Sequence, residues 1–120
     1  MFVLHAHCSN GPDHYDLMIE QGRALATWRL ADRPDALPPR AAMPAEKLAD
    51  HRAAYLEYEG PVSRGRGEVT RLDKGNCDVH QTSSGLWLIR FHGQILRGRF
   101  QLEHVGPGAE QWRFTCLEAS

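Results

Sequence analysis

CDVHQTSSGLWLIRFHGQILRGRFQLEH, residues 77–104, holds three extended runs, 77–82, 86–91 and 95–104, parted by Ser83-Ser84-Gly85 and His92-Gly93. Both separators are turn chemistry. Strand side chains alternate with period two, so Trp87, Ile89 and Phe91 fall on one face. Downstream, Gly106-Pro107-Gly108 introduces 111–117, where Trp112, Phe114 and Cys116 share a face. Upstream, 67–72 ends at the turn signal Asp73-Lys74-Gly75. The amino end repeats the pattern, with extended runs at 2–8, 14–21 and 24–30 separated by SNGPD at 9–13 and by Gln21-Gly22. Short strands at near-regular spacing, about eight of them, describe a mainly β protein. The expected architecture is a small antiparallel β-barrel of about eight strands, whose closure leaves no exposed sheet edge.

The middle differs. Residues 31–44 contain Pro34, Pro38, Pro39 and Pro44, which favours a Pro-rich surface loop and argues against a central strand. In 45–58, Leu48, Arg52, Tyr55 and Tyr58 lie on a rough helical stripe, so one short amphipathic helix fits; Tyr55, Leu56 and Tyr58 equally suit extended structure.

Composition bounds the function classes. The chain has 120 residues, 42% hydrophobic and 24% charged, which suits one globular domain over 1–120 with a real core. Nothing approaches the ~20 apolar residues of a membrane span, and the start MFVLHAHC does not read as a signal peptide, so a cytoplasmic location is expected. Cys8, Cys77 and Cys116 form no CxxC pair and read as reduced packing residues. A formal charge of -1 excludes nucleic-acid binding through a general basic field. A local basic patch stays open, because twelve of the 14 cations are arginines, whose planar fork suits phosphate.

The chemistry gathers at the amino end. His5, His7, His14 and Asp16 are placed so that His5 and His7 share one strand face and His14 and Asp16 another. If the two strands pair, His7 meets His14 and Asp16. Two imidazoles and a carboxylate with open positions can hold a divalent first-row metal, able to polarise a phosphoryl oxygen or activate a water. The bland alternative is a pair of strand fragments carrying surface histidines.

HYDLMIE at 14–20, ATWRLADRP at 26–34, DHRAAYLEYEG at 50–60, GRGEV at 65–69, DKG at 73–75 and FHGQILRGRFQL at 91–102 extend the reading. Together, in order and over nearly the whole chain, they resemble the 3'-phosphoesterase domain of bacterial DNA ligase D. The resemblance implies a small β-barrel that heals DNA 3' ends by removing a terminal phosphate or ribonucleotide, with manganese or another divalent first-row metal as cofactor. It implies that His7, His14 and Asp16 hold the metal and that His51 and Tyr55 contact the scissile phosphate or leaving group. Glu20 matches an acidic family position and is expected to orient a ligand from behind; His5 is expected either as an extra ligand or just outside the ligand set.

The departures bear on activity. Met18 stands where the family commonly has arginine, and Asp32 lies near an expected lysine, with Arg33 adjacent as a possible substitute. Arg64, Arg66 and Arg99 are the candidates to bind substrate phosphate instead. The implied partners are DNA 3' ends and a separately encoded ligase or polymerase, with no membrane and a monomeric protein. A second reading is a degenerate module that binds DNA ends or a repair partner without turnover. A third, a cupin-type metal enzyme, is compatible with HAH but gives no meaning to DHxxxYxxxEG or HGxxLxGRF.

Overall fold

A computed structural model describes residues 1–8, 13–56, 59–61 and 68–119. Eight long strands carry the architecture: β1 (Phe2–Cys8), β2 (His14–Gln21), β3 (Ala24–Leu30), β4 (Ala42–Lys47), β7 (Glu68–Ser83), β8 (Leu86–His92), β9 (Arg97–His104) and β10 (Gln111–Ala119). Two-residue strands β5 (His51–Arg52) and β6 (Gly60–Pro61) supplement them. All pairings are antiparallel, in the order β1-β2-β3-β4-β10-β9-β8-β7, and a β1–β7 ladder closes the barrel.

The period-two faces place the core as expected. Trp87, Ile89, Phe91, Trp112, Phe114 and Cys116 are all buried inside, joined by Phe2, Leu4, Leu17, Ile19 and Trp28. Trp28 meets Trp87 and Trp112 edge-on, with ring centroids 5.0 and 5.5 Å apart, and Phe100 stacks on Phe114 at 4.9 Å. Such arrangements satisfy the ring quadrupoles while burying large apolar area.

Two local expectations are overturned by tertiary context. Residues 42–47 are neither surface loop nor helix but strand β4, bridging β3 and β10. Pro44 is tolerated because it lies just beyond the last β3 pair, Leu30↔Ala45, where its missing N–H forfeits no ladder bond to β3. The helix expected over 45–58 reduces, among the described residues, to a single 3-10 turn at Ala53–Leu56; a second such turn, Pro34–Ala36, lies in the Pro-rich segment. Tyr58 and the turn at 9–12 lie outside the described residues.

The Asp73-Lys74-Gly75 signal is not a turn either. It lies inside the 16-residue β7, which pairs with β1 up to Gly75 and with β8 from Asn76. Gly75 allows the switch, since a Cβ there would stand 2.9 Å from the His92 carbonyl oxygen. Asp73 is turned to a distant use: its carboxylate accepts the N–H groups of Gln94, Ile95 and Leu96 at 3.1, 3.0 and 2.7 Å, holding the β8–β9 connection.

The outer face of β1, β2 and β3 carries a second, small apolar cluster, Val3, Met18 and Leu25, each at most 1% exposed. Beside it, β5 pairs with β3 at Leu25↔His51, and β6 pairs with β7 at Gly60↔Val69.

Candidate metal centre

The β1–β2 register sets His7 opposite His14 and His5 opposite Asp16. Directly opposed residues of an antiparallel pair share a face, so all four side chains project outward, beside the small cluster and away from the barrel core. The imidazoles of His7 and His14 meet with centroids 4.4 Å apart and planes at 61°. His14 Nε2 lies 3.8 Å from Asp16 Oδ1. One donor atom from each of His7, His14 and Asp16 falls within 4.8 Å of the other two.

The surroundings leave two of these ligand atoms, on His14 and Asp16, unsatisfied. His14 Nε2 and Asp16 Oδ1 are buried and have no hydrogen-bond partner. An unmet buried polar atom costs about 1–3 kcal/mol, so a protein retains such a pair where another species completes it. Two nitrogen donors and one carboxylate oxygen fit a divalent first-row ion. Asp16 is 5% exposed, and the His14 side chain 16%, so the cluster is sheltered yet open on one side.

Burial lowers the pKa of His14 below the ordinary imidazole range, with Asp16 pulling the other way and Arg29 and His7 adding to the depression. Burial likewise lowers His5, against the opposing Asp16 and Glu59 carboxylates. Both rings are therefore held neutral near pH 7, the form that offers a lone pair. A histidine whose folded pKa is depressed binds more protons when unfolded, so the metal-free protein loses stability as pH falls below about 6.5, the unfolded value. Thermal melts between pH 7.5 and pH 5 are expected to show the melting temperature dropping on acidification, with a smaller drop in His5→Asn than in the parent. An equal drop in both would remove His5 as a cause.

Among the expected site residues, the structure brings His7, His14 and Asp16 together and sets His5 against them. His5 is 1% exposed, and its Nε2 is buried without a hydrogen-bond partner. His51 lies in β5 opposite Leu25, close enough for its charge to act on His5. Its Nδ1 donates to the Ala49 carbonyl at 3.1 Å, which leaves the lone pair of the neutral ring on Nε2. Tyr55 is in the 3-10 turn after β5, with its side chain outside the described part, and Arg64 and Arg66 also lie outside the described residues.

Two expected positions are elsewhere. Glu20 shares the outward face of β2 with Asp16, but four residues along a strand is roughly 13 Å. It is exposed and pairs with the Met1 ammonium at 3.3 Å. Arg99 is on β9, three strands round the barrel from β1, and pairs with Glu118 at 3.3 Å. Arg33, the possible substitute for the missing lysine, is held by Asp35 through two 3.1 Å hydrogen bonds.

Two arginines that sequence reasoning passed over do adjoin the cluster. Arg29 stands opposite Asp16 on β3, with Nε 3.6 Å from Oδ1. Arg71 faces His5 from β7 because the β1–β7 register slips between Leu4 and His5, leaving Leu72 unpaired and bringing Arg71 into line. Such bulges commonly re-aim side chains beside functional sites. The signal for Arg29 was parity alone: with Trp28 inside, Arg29 must point out with Leu25 and Thr27.

A family model of the DNA ligase D 3'-phosphoesterase domain matches residues 5–104. The chain belongs to that family. A search of the curated proteins gave no match. As a member of the DNA ligase D phosphoesterase family, the chain is a metal-site hydrolase of the DNA-repair class, and His7, His14 and Asp16 form a cluster able to hold a divalent ion.

Proposed function

We propose that this phosphoesterase acts on DNA 3' ends, removing a terminal phosphate or ribonucleotide, with Mn2+ as the ion held by His7, His14 and Asp16. The buried, unpartnered His14 Nε2 and Asp16 Oδ1 beside His7 carry the reading. A bound ion supplies Lewis-acid stabilisation of the charge that grows on the non-bridging phosphoryl oxygens. Water attacks the phosphorus as the P–O bond to the departing 3' oxygen breaks; His51, in its imidazolium form, gives that oxygen the proton on Nε2, and inorganic phosphate and a 3'-hydroxyl are left. Its bond to the Ala49 carbonyl fixes the ring so that Nε2 is the exchanging atom. Tyr55 is assigned to the same phosphate. The enzyme is placed in the cytoplasm as a monomer beside a separately encoded ligase or polymerase.

The test is release of inorganic phosphate from a 3'-phosphorylated primer annealed to a template. Release is expected with Mn2+, to be lost on chelation with EDTA and to return when Mn2+ is restored. Release indifferent to the chelator would contradict the metal role. One observation favours a binding-only module instead: Met18 occupies an expected cation position and is sealed in the apolar cluster with Val3 and Leu25. Salt-sensitive binding to DNA ends without turnover of any 3'-blocked substrate would select it.

A further inference from the structure

We infer that Arg29 is the residue that grips the substrate phosphate at this site, a specificity-determining role that rests on the phosphoesterase reading above. The juxtaposition is specific. Arg29 is directly opposite Asp16 across the β2–β3 ladder, and its Nε is buried, has no hydrogen-bond partner and sits 3.6 Å from Oδ1. That separation is too long for a hydrogen bond. The side chain as a whole is 39% exposed, so it runs from a buried Nε out to the surface.

Charge arithmetic gives the arrangement its purpose. Without an ion, Asp16 and Arg29 cancel. A divalent ion on two neutral imidazoles and Asp16 brings the ligand set to a net single positive charge, and Arg29 adds another beside it. Two cations side by side in a sheltered site require an anion, and a phosphoryl group shared between the ion and the arginine fork satisfies both. The other described arginines near expected positions are engaged: Arg33 with Asp35 and Arg99 with Glu118. Arg71, beside His5, shares its surroundings with the Glu59 carboxylate.

The test uses Arg29→Gln and Arg29→Lys in the full chain, with calorimetric titration of Mn2+ and then of inorganic phosphate and a 3'-phosphorylated oligonucleotide into the Mn2+-loaded protein. Arg29→Gln is expected to weaken phosphate binding by about tenfold or more, the worth of a charge-assisted contact. It should bind Mn2+ at least as tightly as the parent, because a neighbouring positive charge is gone. Arg29→Lys should recover part of the phosphate affinity. Unchanged phosphate affinity in Arg29→Gln would overturn the inference. So would a parallel loss of Mn2+ affinity, which marks an arginine that only positions Asp16. A parent protein that binds no Mn2+ would instead sink the metal site itself, and the inference with it.

Discussion

Asp16→Asn is expected to lower Mn2+ affinity and the rate of phosphate release each by at least ~100-fold, since even residues that merely orient metal ligands are worth about 10–100-fold. Asparagine keeps the size and one oxygen of aspartate, so the β2 strand and its pairing with His5 and Arg29 should persist. What disappears is the negative charge that makes the cluster attractive to a cation. The substitution also leaves Arg29 with no counter-charge at 3.6 Å, so the metal-free variant should melt at a temperature close to the parent's or slightly lower. His14→Ala removes the second unsatisfied donor and should do at least as much damage to binding. Phosphate release by either variant at the parental rate would refute the assignment of these ligands.

The second large effect is on stability. Asp73→Ala should destabilise the fold by about 3–5 kcal/mol, read as a lower urea midpoint. Three backbone N–H groups, of Gln94, Ile95 and Leu96, converge on this carboxylate, and the Lys74 N–H adds a fourth contact at 2.9 Å. Hydrogen bonds to a charged acceptor contribute about 1.5–3 kcal/mol each, and the donors left behind include that of Leu96, which is fully buried. The β8–β9 connection would lose its anchor. Gly93 belongs to the same device: a Cβ there would collide with the Asp73 carboxylate and stand 2.7 Å from Phe2 Cζ. Asp73→Asn, retaining one acceptor oxygen, should cost less than the alanine. A urea midpoint unmoved by Asp73→Ala would mean that the loop is held by something else.

The same residue shows where sequence reading stops. Alternation made most strands legible, because Trp87, Ile89, Phe91, Trp112, Phe114 and Cys116 repeat with period two and each run is bounded by turn residues. Asp73-Lys74-Gly75 is locally indistinguishable from such a boundary. Only the partner residues, at 92–96 along the chain, reveal that Asp73 serves a remote loop and that Gly75 makes room for a passing carbonyl. Pro44 misled for a related reason: its cost depends on which side of the strand lacks a partner, and that is a property of the sheet rather than of the residue.

The candidate site divides in the same way. His7, His14 and Asp16 were readable because two short strands joined by a short connection nearly dictate that they pair, and period two then aligns the donors. Glu20 obeyed the same parity but lies too far along the strand to take part. Arg29 was hidden, since its place opposite Asp16 depends on the β2–β3 register. Arg71 depends on a bulge that no local pattern announces. Cations are thus the least legible part of the site: their positions are set by cross-strand register, which the sequence encodes only through the whole barrel.

Crystals of the protein soaked in Mn2+, with diffraction recorded at the manganese absorption edge, test the central claim most directly. A single anomalous peak coordinated by His7, His14 and Asp16 is the expected result. Those three side chains splayed apart with no peak between them, or the ion bound at another cluster while they stay empty, would contradict it.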